Sequence, residues 1–379
     1  MPVKLAVPKE ETVGENRVAL VPDVAKRLKA MNIDVSIEKD AGLRTGMPNS
    51  VFESQSVTIE SDKKTLVQQA DIILKVQPPS IEEIQTYKEG TILLGFLAPY
   101  SNNERIIALK EKKITAFSME LVPRISRAQS IDALSSQAAA AGYKAVLIAA
   151  EMSNKFFPML TTAAGTIRPA HVLVIGAGVA GLQAIATARR LGAIVEAYDV
   201  RSATKEQVQS LGAKFIDMQM SADSAGGYAR ELTEAEKAQQ QEILARHVAK
   251  ADAIITTAAI PGRPSPKIIT EAMITAMKPG AVIVDIAAEG GGNTALTRLG
   301  EVVDHNGVKI FGPENLPSQL AAHASEMYSK NLLNFLTLLV NKEGAIQLDW
   351  SDQILADSVL TNEGQIRHTA TRERIEKNA

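Results

Sequence analysis

The stretch VLVIGAGVAG, residues 172–181, decides how this chain folds. Residues 172–175 are apolar and mostly β-branched, which is typical of a buried parallel strand. Gly176, Gly178 and Gly181 follow with the spacing G-x-G-x-x-G. The first glycine allows a tight turn, the second lets the backbone approach a pyrophosphate, and the third lets helix and strand pack closely. The next residues, LQAIATARRL, predict a helix whose free N–H groups and positive dipole end face the phosphates.

Asp199 strengthens this prediction because it ends the next apolar run, IVEAYD. A carboxylate at that strand tip accepts hydrogen bonds from the adenosine ribose hydroxyls. It also repels a 2′-phosphate, so the site is predicted to prefer NAD(H) to NADP(H). Arg201, two residues later, argues for NADP(H), but the carboxylate carries more weight. The ordered set of strand, glycines, helix, strand and carboxylate is far more specific than the glycine spacing alone.

Composition bounds the class of protein. The chain has 379 residues, 45% hydrophobic and 22% charged, which favours a soluble globular protein of two domains. A net charge of −2 gives no reason to expect nucleic acid or an anionic membrane as a partner. There are no cysteines, so disulfides and thiol nucleophiles are excluded. No secretory signal and no apolar stretch long enough to span a membrane is recognisable, and the five histidines show no metal-ligand spacing.

Strand and helix patterns alternate along both halves of the chain. This alternation predicts parallel sheets with helices on both faces. We predict a discontinuous N-terminal domain, 1–132 plus 330–379, and a nucleotide-binding domain, 133–329. A long Ala-rich helix from about 133 to 157 links them, and the tail adds a helix and a hairpin turn at 362–364 to the first domain.

The segment 119–143 is the first of three loops that could carry chemistry. It concentrates Arg124, Arg127, Gln129, Asp132 and Ser135 between a strand and a long helix. Arg offers a donor fork, Gln can pair with the nicotinamide carboxamide, and Asp can hold the Arg in place. Alternatively, Asp132 and Ser130 simply cap the following helix. The concentration of polar groups slightly favours a binding site.

The other two loops are rich in glycine. The segment 223–241 contains Gly227 and Tyr228 and could be a mobile lid over a nucleotide, although an ordinary surface loop is favoured by the sequence alone. The segments 256–262 and 284–293 end two strands at the same sheet edge, where Thr257 and Ala258 would leave room for a nicotinamide ribose. Plain packing remains an alternative there. Arg17 and Lys75 could each bind a carboxylate, but solvated surface positions are favoured.

Several of these motifs resemble one family. ENRVALVP, KVQPP, RISRAQSIDALSSQ, the glycine stretch, YDVR, AGGYARE, ITTAAIPGRP and DIAAEGGGN are similar to the NAD(H)-binding domain I, the soluble portion of the α subunit, of proton-translocating transhydrogenase. Alanine dehydrogenase is a close relative with the same fold. The resemblance covers nearly the whole chain. It implies an α/β fold of two Rossmann-like, doubly wound parallel-sheet domains with a nucleotide cleft between them.

The resemblance also implies roles for individual residues. The loop that meets the nicotinamide half of NAD(H) would contain Arg124, Gln129, Asp132 and Ser135, and Tyr228 would lie on a mobile loop that closes over the nucleotide. Asp199, Val200 and Arg201 would hold the adenosine end. In all, the predicted cofactor-binding residues are Gly176, Gly178, Val179, Gly181, Asp199, Val200, Arg201, Gly227, Thr257 and Ala258, and no metal site is predicted.

Two residue differences separate this chain from alanine dehydrogenases. Alanine dehydrogenases carry a catalytic His where this chain has Phe96, and a site Asp where it has Glu289. Amino-acid oxidation needs proton transfer as well as hydride transfer, so the missing His removes an acid–base group. Hydride exchange between two nicotinamides needs only positioning and exclusion of water. Arg17 and Lys75, which would bind the carboxylate substrate in the dehydrogenase, keep that alternative open.

The resemblance finally implies partners. We expect a Re/Si-specific, proton-translocating NAD(P)⁺ transhydrogenase component that forms a homodimer and docks to an NADP(H)-binding subunit. The chain ends at residue 379 without membrane helices, so proton translocation is expected in transmembrane partner chains. The protein itself is expected to be cytoplasmic and peripheral, held to the inner face of the membrane by those partners. A nucleotide-binding regulatory module without turnover is a third possibility.

Overall fold

The structure is a computed structural model that describes residues 2–217, 233–260, 262–341 and 343–377. Short apolar runs of the sequence form the inner strands of its two large sheets. The strands in the described ranges are β1 Val3–Val7, β2 Ile33–Glu38, β3 Thr58–Glu60, β4 Ile72–Leu74, β5 Ile92–Gly95, β6 Thr115–Ser118, β7 Leu160–Thr162, β8 Gly165–Ile167, β9 His171–Ile175, β10 Ile194–Tyr198, β11 Lys214–Phe215, β12 Ala253–Thr256, β13 Val282–Asp285, β14 Val302–His305, β15 Val308–Phe311, β16 Val359–Asn362 and β17 Gln365–Ile366.

Helices alternate with the strands. Several begin at a side chain that caps the free N–H groups of the first turn, such as Asp62 before α3 and the Ser80–Glu83 capping box of α4. The helices of the described ranges are α1 Pro22–Ala30, α2 Asn49–Glu53, α3 Lys63–Gln68, α4 Ile81–Thr86, α5 Asn103–Glu111, α6 Ala133–Met152, α7 Val179–Arg190, α8 Lys205–Ser210, α9 Glu234–Val248, α10 Glu271–Thr275, α11 Ala321–Leu339, α12 Gln353–Ser358 and α13 Thr369–Lys377.

The chain divides into two compact units, Met1–Gln137 with Ser318–Ala379, and Ala138–Pro317. The sheet of the first unit has the order β17-β16-β6-β5-β4-β1-β2-β3 and is parallel from β6 to β3. The tail contributes α12 and an antiparallel β16–β17 edge, so the predicted helix and hairpin turn are present. The predicted domain boundaries, after residues 132 and 329, stay predictions.

The sheet of the second unit has the order β11-β10-β9-β12-β13-β15-β14. Alternate residues of β9 enter two different cores: Val172 and Val174 pack on one face, and Leu173 and Ile175 pack on the other. Burial on both faces explains why this strand reads as a continuous apolar run in the sequence. The predicted α/β fold with parallel sheets in two units is confirmed.

Two antiparallel features were not predicted. Strands β7 and β8 form a separate hairpin in which Gly165, the first residue of β8, has φ of +115°. Strand β14 pairs antiparallel with β15 through a turn in which Asn306 and Gly307 have φ of +54° and +80°. An Asn-Gly pair between two strands is a sequence signal for a hairpin, but this hairpin was not predicted. Among the described residues, no helix is long and apolar enough to cross a membrane.

Candidate functional site

The glycine turn joins β9, an inner strand of the second unit's sheet, to α7 at the carboxyl end of that strand. Gly176 has φ of +95°, a backbone conformation that side chains with a Cβ disfavour. Gly178 is the N-cap of α7 and supplies no side-chain cap. The first N–H groups of the helix therefore remain available to an anion, as expected for a phosphate-binding turn.

The three glycines differ in what surrounds them. A Cβ on Gly181 would overlap the carbonyl oxygen of Gly176, and a Cβ on Gly176 would meet Thr257 Oγ1. A Cβ on Gly178 would have open space around it, with its nearest neighbour, Arg201 Nη2, 4.0 Å away. The first and third glycines thus serve internal packing, and the second borders an open space. This geometry fits the pyrophosphate of a dinucleotide.

Asp199 lies directly after β10 and reaches back to the glycine turn. Its Oδ2 accepts a hydrogen bond from the backbone N–H of Ala177 at 2.7 Å. Arg201 donates to both carboxylate oxygens, from Nε at 2.8 Å and from Nη2 at 2.7 Å, and its backbone N–H donates to Oδ1 at 2.8 Å. The two residues that argued for different cofactors in the sequence are therefore one ion pair. The carboxylate compensates the guanidinium charge that a 2′-phosphate would need.

A cavity of about 110 Å³ adjoins this pair. Asp199, Val200, Ser202 and Lys205 contribute to its lining, and the Lys205 ammonium forms an ion pair with Asp217 at 2.6 Å. The cavity lies beyond the tip of β10, where an adenosine group is expected in a doubly wound sheet. Val200 and the Asp199–Arg201 pair are thus brought together at one end of the candidate site.

Thr257 and Ala258 follow β12, the strand next to β9. The Thr257 hydroxyl donates to the Gly176 carbonyl at 3.1 Å, which joins the two predicted segments. Asn293 then holds Ala258 on both sides, because its Oδ1 accepts from the Ala258 N–H at 2.9 Å and its Nδ2 donates to the Ala258 carbonyl at 2.7 Å. The Asn293 N–H in turn donates to the buried Asp285 carboxylate at 2.6 Å.

The sequence predicted that the segment 284–293 lies near the ligand, but Asn293 and Asp285 were not predicted as site residues. Both side chains are fully buried, and the available signal was a polar residue on either side of the glycine run, five residues before it and directly after it. Gly227 and Tyr228, and the greater part of the proposed 223–241 lid, lie outside the described residues.

In the first unit, the β6–α6 loop, residues 119–132, carries Arg124, Gln129 and Asp132, and Ser135 lies in the first turn of α6. Asp132 caps α6: its Oδ1 accepts from the Ser135 N–H at 2.9 Å and its Oδ2 from the Ser135 hydroxyl at 2.6 Å. The capping alternative is therefore realised. The side chains of Arg124 and Gln129 are exposed, and Arg127 forms an ion pair with Asp352.

Arg17 and Lys75 are buried, so the expectation that they are solvated surface charges was wrong. Arg17 donates to both carboxylate oxygens of Glu15, at 2.8 and 2.7 Å, and to Gln137 Oε1 at 2.8 Å. Lys75 Nζ lies 3.4 Å from Glu10 Oε2 and 3.1 Å from Glu83 Oε1. Burial raises the pKa of Glu10, opposed by the charge of Lys75. Each cation already has an internal carboxylate partner.

Phe96 and Glu289 stand at the two positions where the sequence resemblance predicts a departure from alanine dehydrogenases. Phe96 stacks on Tyr328 with ring centroids 5.1 Å apart, and the Tyr328 hydroxyl donates to the Lys75 carbonyl at 2.8 Å. Burial raises the pKa of Tyr328 well above its ordinary value. In the second unit, Glu289 is exposed and accepts a hydrogen bond from the Asn315 N–H at 3.2 Å.

Comparisons with known proteins match both halves of the chain. Residues 6–141 match the family model "Alanine dehydrogenase/PNT, N-terminal domain", and residues 145–369 match "Alanine dehydrogenase/PNT, C-terminal domain". Together the two matches cover the glycine turn, the Asp199–Arg201 pair and the β6–α6 loop.

Individual relatives differ in how similar they are. The chain is 47% identical to the first of the pieces that make up the NAD(P) transhydrogenase α subunit of Rhodospirillum rubrum, over 97% of this chain and 98% of the relative. It is 28% identical to an alanine dehydrogenase of Bacillus subtilis, over 97% of this chain and 93% of the relative. The solved structure of a transhydrogenase from Sinorhizobium meliloti superimposes with a TM-score of 0.85 at 43% identity, covering 97% of this chain and 99% of that one.

Proposed function

This chain belongs to the alanine dehydrogenase/PNT family, with transhydrogenase α subunits as relatives at 47% identity, and on that premise we propose that it is the NAD(H)-binding component of a proton-translocating NAD(P) transhydrogenase. NADH bound by this chain would give hydride directly to NADP⁺ bound on a partner subunit. The observation that carries the proposal is the open space at Gly178 beside the Asp199–Arg201 pair. The match to a transhydrogenase subunit over 97% of this chain supports it.

The residues of the second unit fit NAD(H). The N–H groups at the start of α7 would bind the pyrophosphate, and Gly178 leaves room for it. Asp199 would accept from the adenosine ribose, with Val200 and Arg201 beside it. Thr257 and Ala258, held by Asn293, would lie along the nicotinamide ribose. When bound, the dinucleotide supplies the hydride at C4 of its nicotinamide ring.

The residues of the first unit would orient the reacting ring. Arg124 and Gln129 offer exposed donors and a carboxamide, and Asp132 with Ser135 fixes the start of α6 behind them. Hydride transfer between two nicotinamides exchanges no proton at the reacting carbons, so these residues need only position the ring and exclude water. As the resemblance implies, we assign Tyr228 to a loop that closes over the nucleotide, and we keep Gly227 among the proposed cofactor-binding residues.

The dehydrogenase alternative is not favoured. An amino-acid dehydrogenase needs an acid–base group and free cations for a carboxylate substrate. Phe96 cannot transfer a proton, and Arg17 and Lys75 are already compensated by Glu15, Glu10 and Glu83. A carboxylate substrate would have to compete with those internal partners.

The name of the Rhodospirillum rubrum relative also bears on partners. It describes one piece of a divided α subunit, which implies at least one further chain in that protein. We propose that NADP(H) and the proton path lie on such partner chains, and that these hold the present chain at the inner face of the membrane. We also propose a homodimer, for which the exposed apolar side chains Phe156, Met159 and Ile167 on and before the β7–β8 hairpin are candidates.

The test combines binding with turnover. NADH fluorescence with the purified chain measures binding, and hydride transfer is then followed with a purified NADP(H)-binding transhydrogenase component. We expect binding without oxidation when pyruvate and ammonium are added, and transfer only with the component present. NADH deuterated at one or the other C4 position identifies the hydrogen that moves. Steady oxidation with pyruvate and ammonium would instead establish the alanine-type dehydrogenase, and binding without either reaction would favour the regulatory module.

A further inference from the structure

Arg127 ties the β6–α6 loop to the C-terminal tail. Its Nη1 donates to Asp352 Oδ2 at 2.6 Å and its Nη2 to Asp352 Oδ1 at 2.7 Å, so the ion pair is bidentate. The two residues are 225 positions apart in the sequence. Planar two-point pairing fixes direction as well as distance. The tail therefore holds this portion of the loop in a defined orientation.

Asp352 is itself held in place. It is the N-cap of α12 and accepts from the Ile354 N–H at 2.8 Å. Two residues earlier, Trp350 stacks on Phe117 of β6 with ring centroids 6.1 Å apart. The hydrogen bond from Arg127 keeps the pKa of Asp352 below its ordinary value, so the carboxylate is charged at neutral pH. The loop is thus attached to a fixed anion.

Other contacts hold the same loop from within the first unit. The Ser130 carbonyl accepts from Asn331 Nδ2 at 2.9 Å and from Asn334 Nδ2 at 3.0 Å, both on α11. Ala128 and Ile131 are buried in the core. Among the side chains of the loop that stay exposed are Arg124 and Gln129, which the proposed function assigns to the nicotinamide ring.

We propose that Arg127 and Asp352 are positioning residues for hydride transfer, acting through the loop that presents Arg124 and Gln129. This inference rests on the proposed function of that loop. The pair itself is distinct from the residues assigned to NAD(H), since its guanidinium and carboxylate are satisfied by each other. The Arg127 side chain is 54% exposed and that of Asp352 16%, and solvent screening at the arginine keeps the contribution of the pair to global stability small. The pair is therefore expected to affect the geometry of the loop far more than the folding of the protein.

The experiment compares Arg127→Gln, Asp352→Asn and the double variant in the full chain. Asn at 352 still caps α12. We expect kcat for hydride transfer to the NADP(H)-binding component to fall about tenfold, because small displacements of reacting groups lower the rate strongly. The NADH dissociation constant and the unfolding midpoint should stay unchanged. The double variant should lose no more than either single variant, and Arg127→Lys should recover some of the rate. The matched control is Glu89→Gln, which breaks an exposed ion pair with Lys113 (2.7 Å) elsewhere in the first unit and should leave kcat unchanged.

Hydrogen exchange of the backbone amides at 124–132 separates this inference from the proposed function. Faster exchange there in Arg127→Gln and Asp352→Asn, but not in Glu89→Gln, supports the inference that the Arg127–Asp352 ion pair, the tether of the loop, holds these residues in place. Unchanged exchange, or an unchanged kcat, overturns it. If the wild-type chain binds NADH but transfers no hydride with the component, the proposed function fails, and the positioning role fails with it even where exchange shows that the tether exists.

Discussion

Asp199 is the residue on which the choice between the two dinucleotides depends. Its carboxylate already accepts four hydrogen bonds, one from Ala177 and three from Arg201. A carboxylate has about four good acceptor positions, so a ribose hydroxyl must share an oxygen with Arg201. The carboxylate engages the Nε and Nη2 groups of the arginine, and its negative charge opposes a 2′-phosphate beside them. Specificity in this chain is therefore a property of the pair and not of either residue alone.

We predict that Asp199→Asn shifts the preference towards NADP(H). Loss of the charged acceptor should weaken NADH binding about tenfold, since hydrogen bonds to charged groups contribute about 1.5–3 kcal/mol. Arg201, no longer compensated, should strengthen NADPH binding. Fluorescence titration with each nucleotide measures both changes. In the double variant Asp199→Asn with Arg201→Gln the gain for NADPH should disappear; a gain that persists there would contradict the role given to Arg201.

At the scale of elements, the glycine turn combines two functions in six residues. Gly176 and Gly181 let β9, α7 and the segment after β12 approach each other, and Gly178 leaves the approach to the turn open. Gly142 of α6 adds to this packing, because a Cβ there would overlap the carbonyl oxygen of Ala180 on α7. The motif therefore contains residues needed for folding and a residue needed for binding.

Two alanine substitutions separate these functions. Gly178 has φ of −77°, which any residue adopts, so Gly178→Ala should fold normally while NADH binding weakens by about tenfold or more through crowding of the pyrophosphate. Gly181→Ala should lower the free energy of unfolding by about 1–3 kcal/mol, the usual cost of overpacking. Denaturant unfolding and NADH fluorescence on both variants provide the measurement. Equal loss of stability in both variants would show that the turn does not divide in this way.

The β6–α6 loop shows which features of an element the sequence can predict. A polar loop between a strand and a long helix was predicted at the right place, and Asp132 caps α6 as the capping alternative expected. The partner of Arg127 could not be predicted, because nothing near it in the sequence points to Asp352. Pairing between side chains distant in the chain depends on the folded path of the tail.

At the scale of the whole molecule, an exposed apolar surface bears on self-association. Phe156, Met159 and Ile167 are 55%, 62% and 47% exposed, on and immediately before the β7–β8 hairpin. The hairpin pairs with no other strand of the described chain. Exposed large apolar side chains on and beside such a hairpin are typical of an interface.

We predict that the chain self-associates and that Met159→Asp with Ile167→Asp abolishes the association. Two charges would have to be buried in an apolar contact, which is unfavourable without partners. Sedimentation equilibrium of the wild type and the variant measures the change. Val13→Asp, at a side chain that is 98% exposed on a loop of the first unit, is the matched control and should leave the assembly intact. A wild-type chain that sediments as a monomer would rule out this role for the hairpin.

The amino-acid sequence alone was sufficient for the parallel strands, the glycine turn and the position of Asp199, because those features depend on local periodicity, backbone freedom and short fixed spacings. Burial and long-range pairing were decided by the tertiary structure. Arg17 meets Gln137, 120 positions away, Lys75 meets Glu10, and Arg127 meets Asp352. Each cation is equally compatible with a solvated surface when it is considered on its own. Only the fold buries Arg17 and Lys75 and brings Glu10 to Lys75, and the low polarity of the interior then makes a carboxylate partner necessary there.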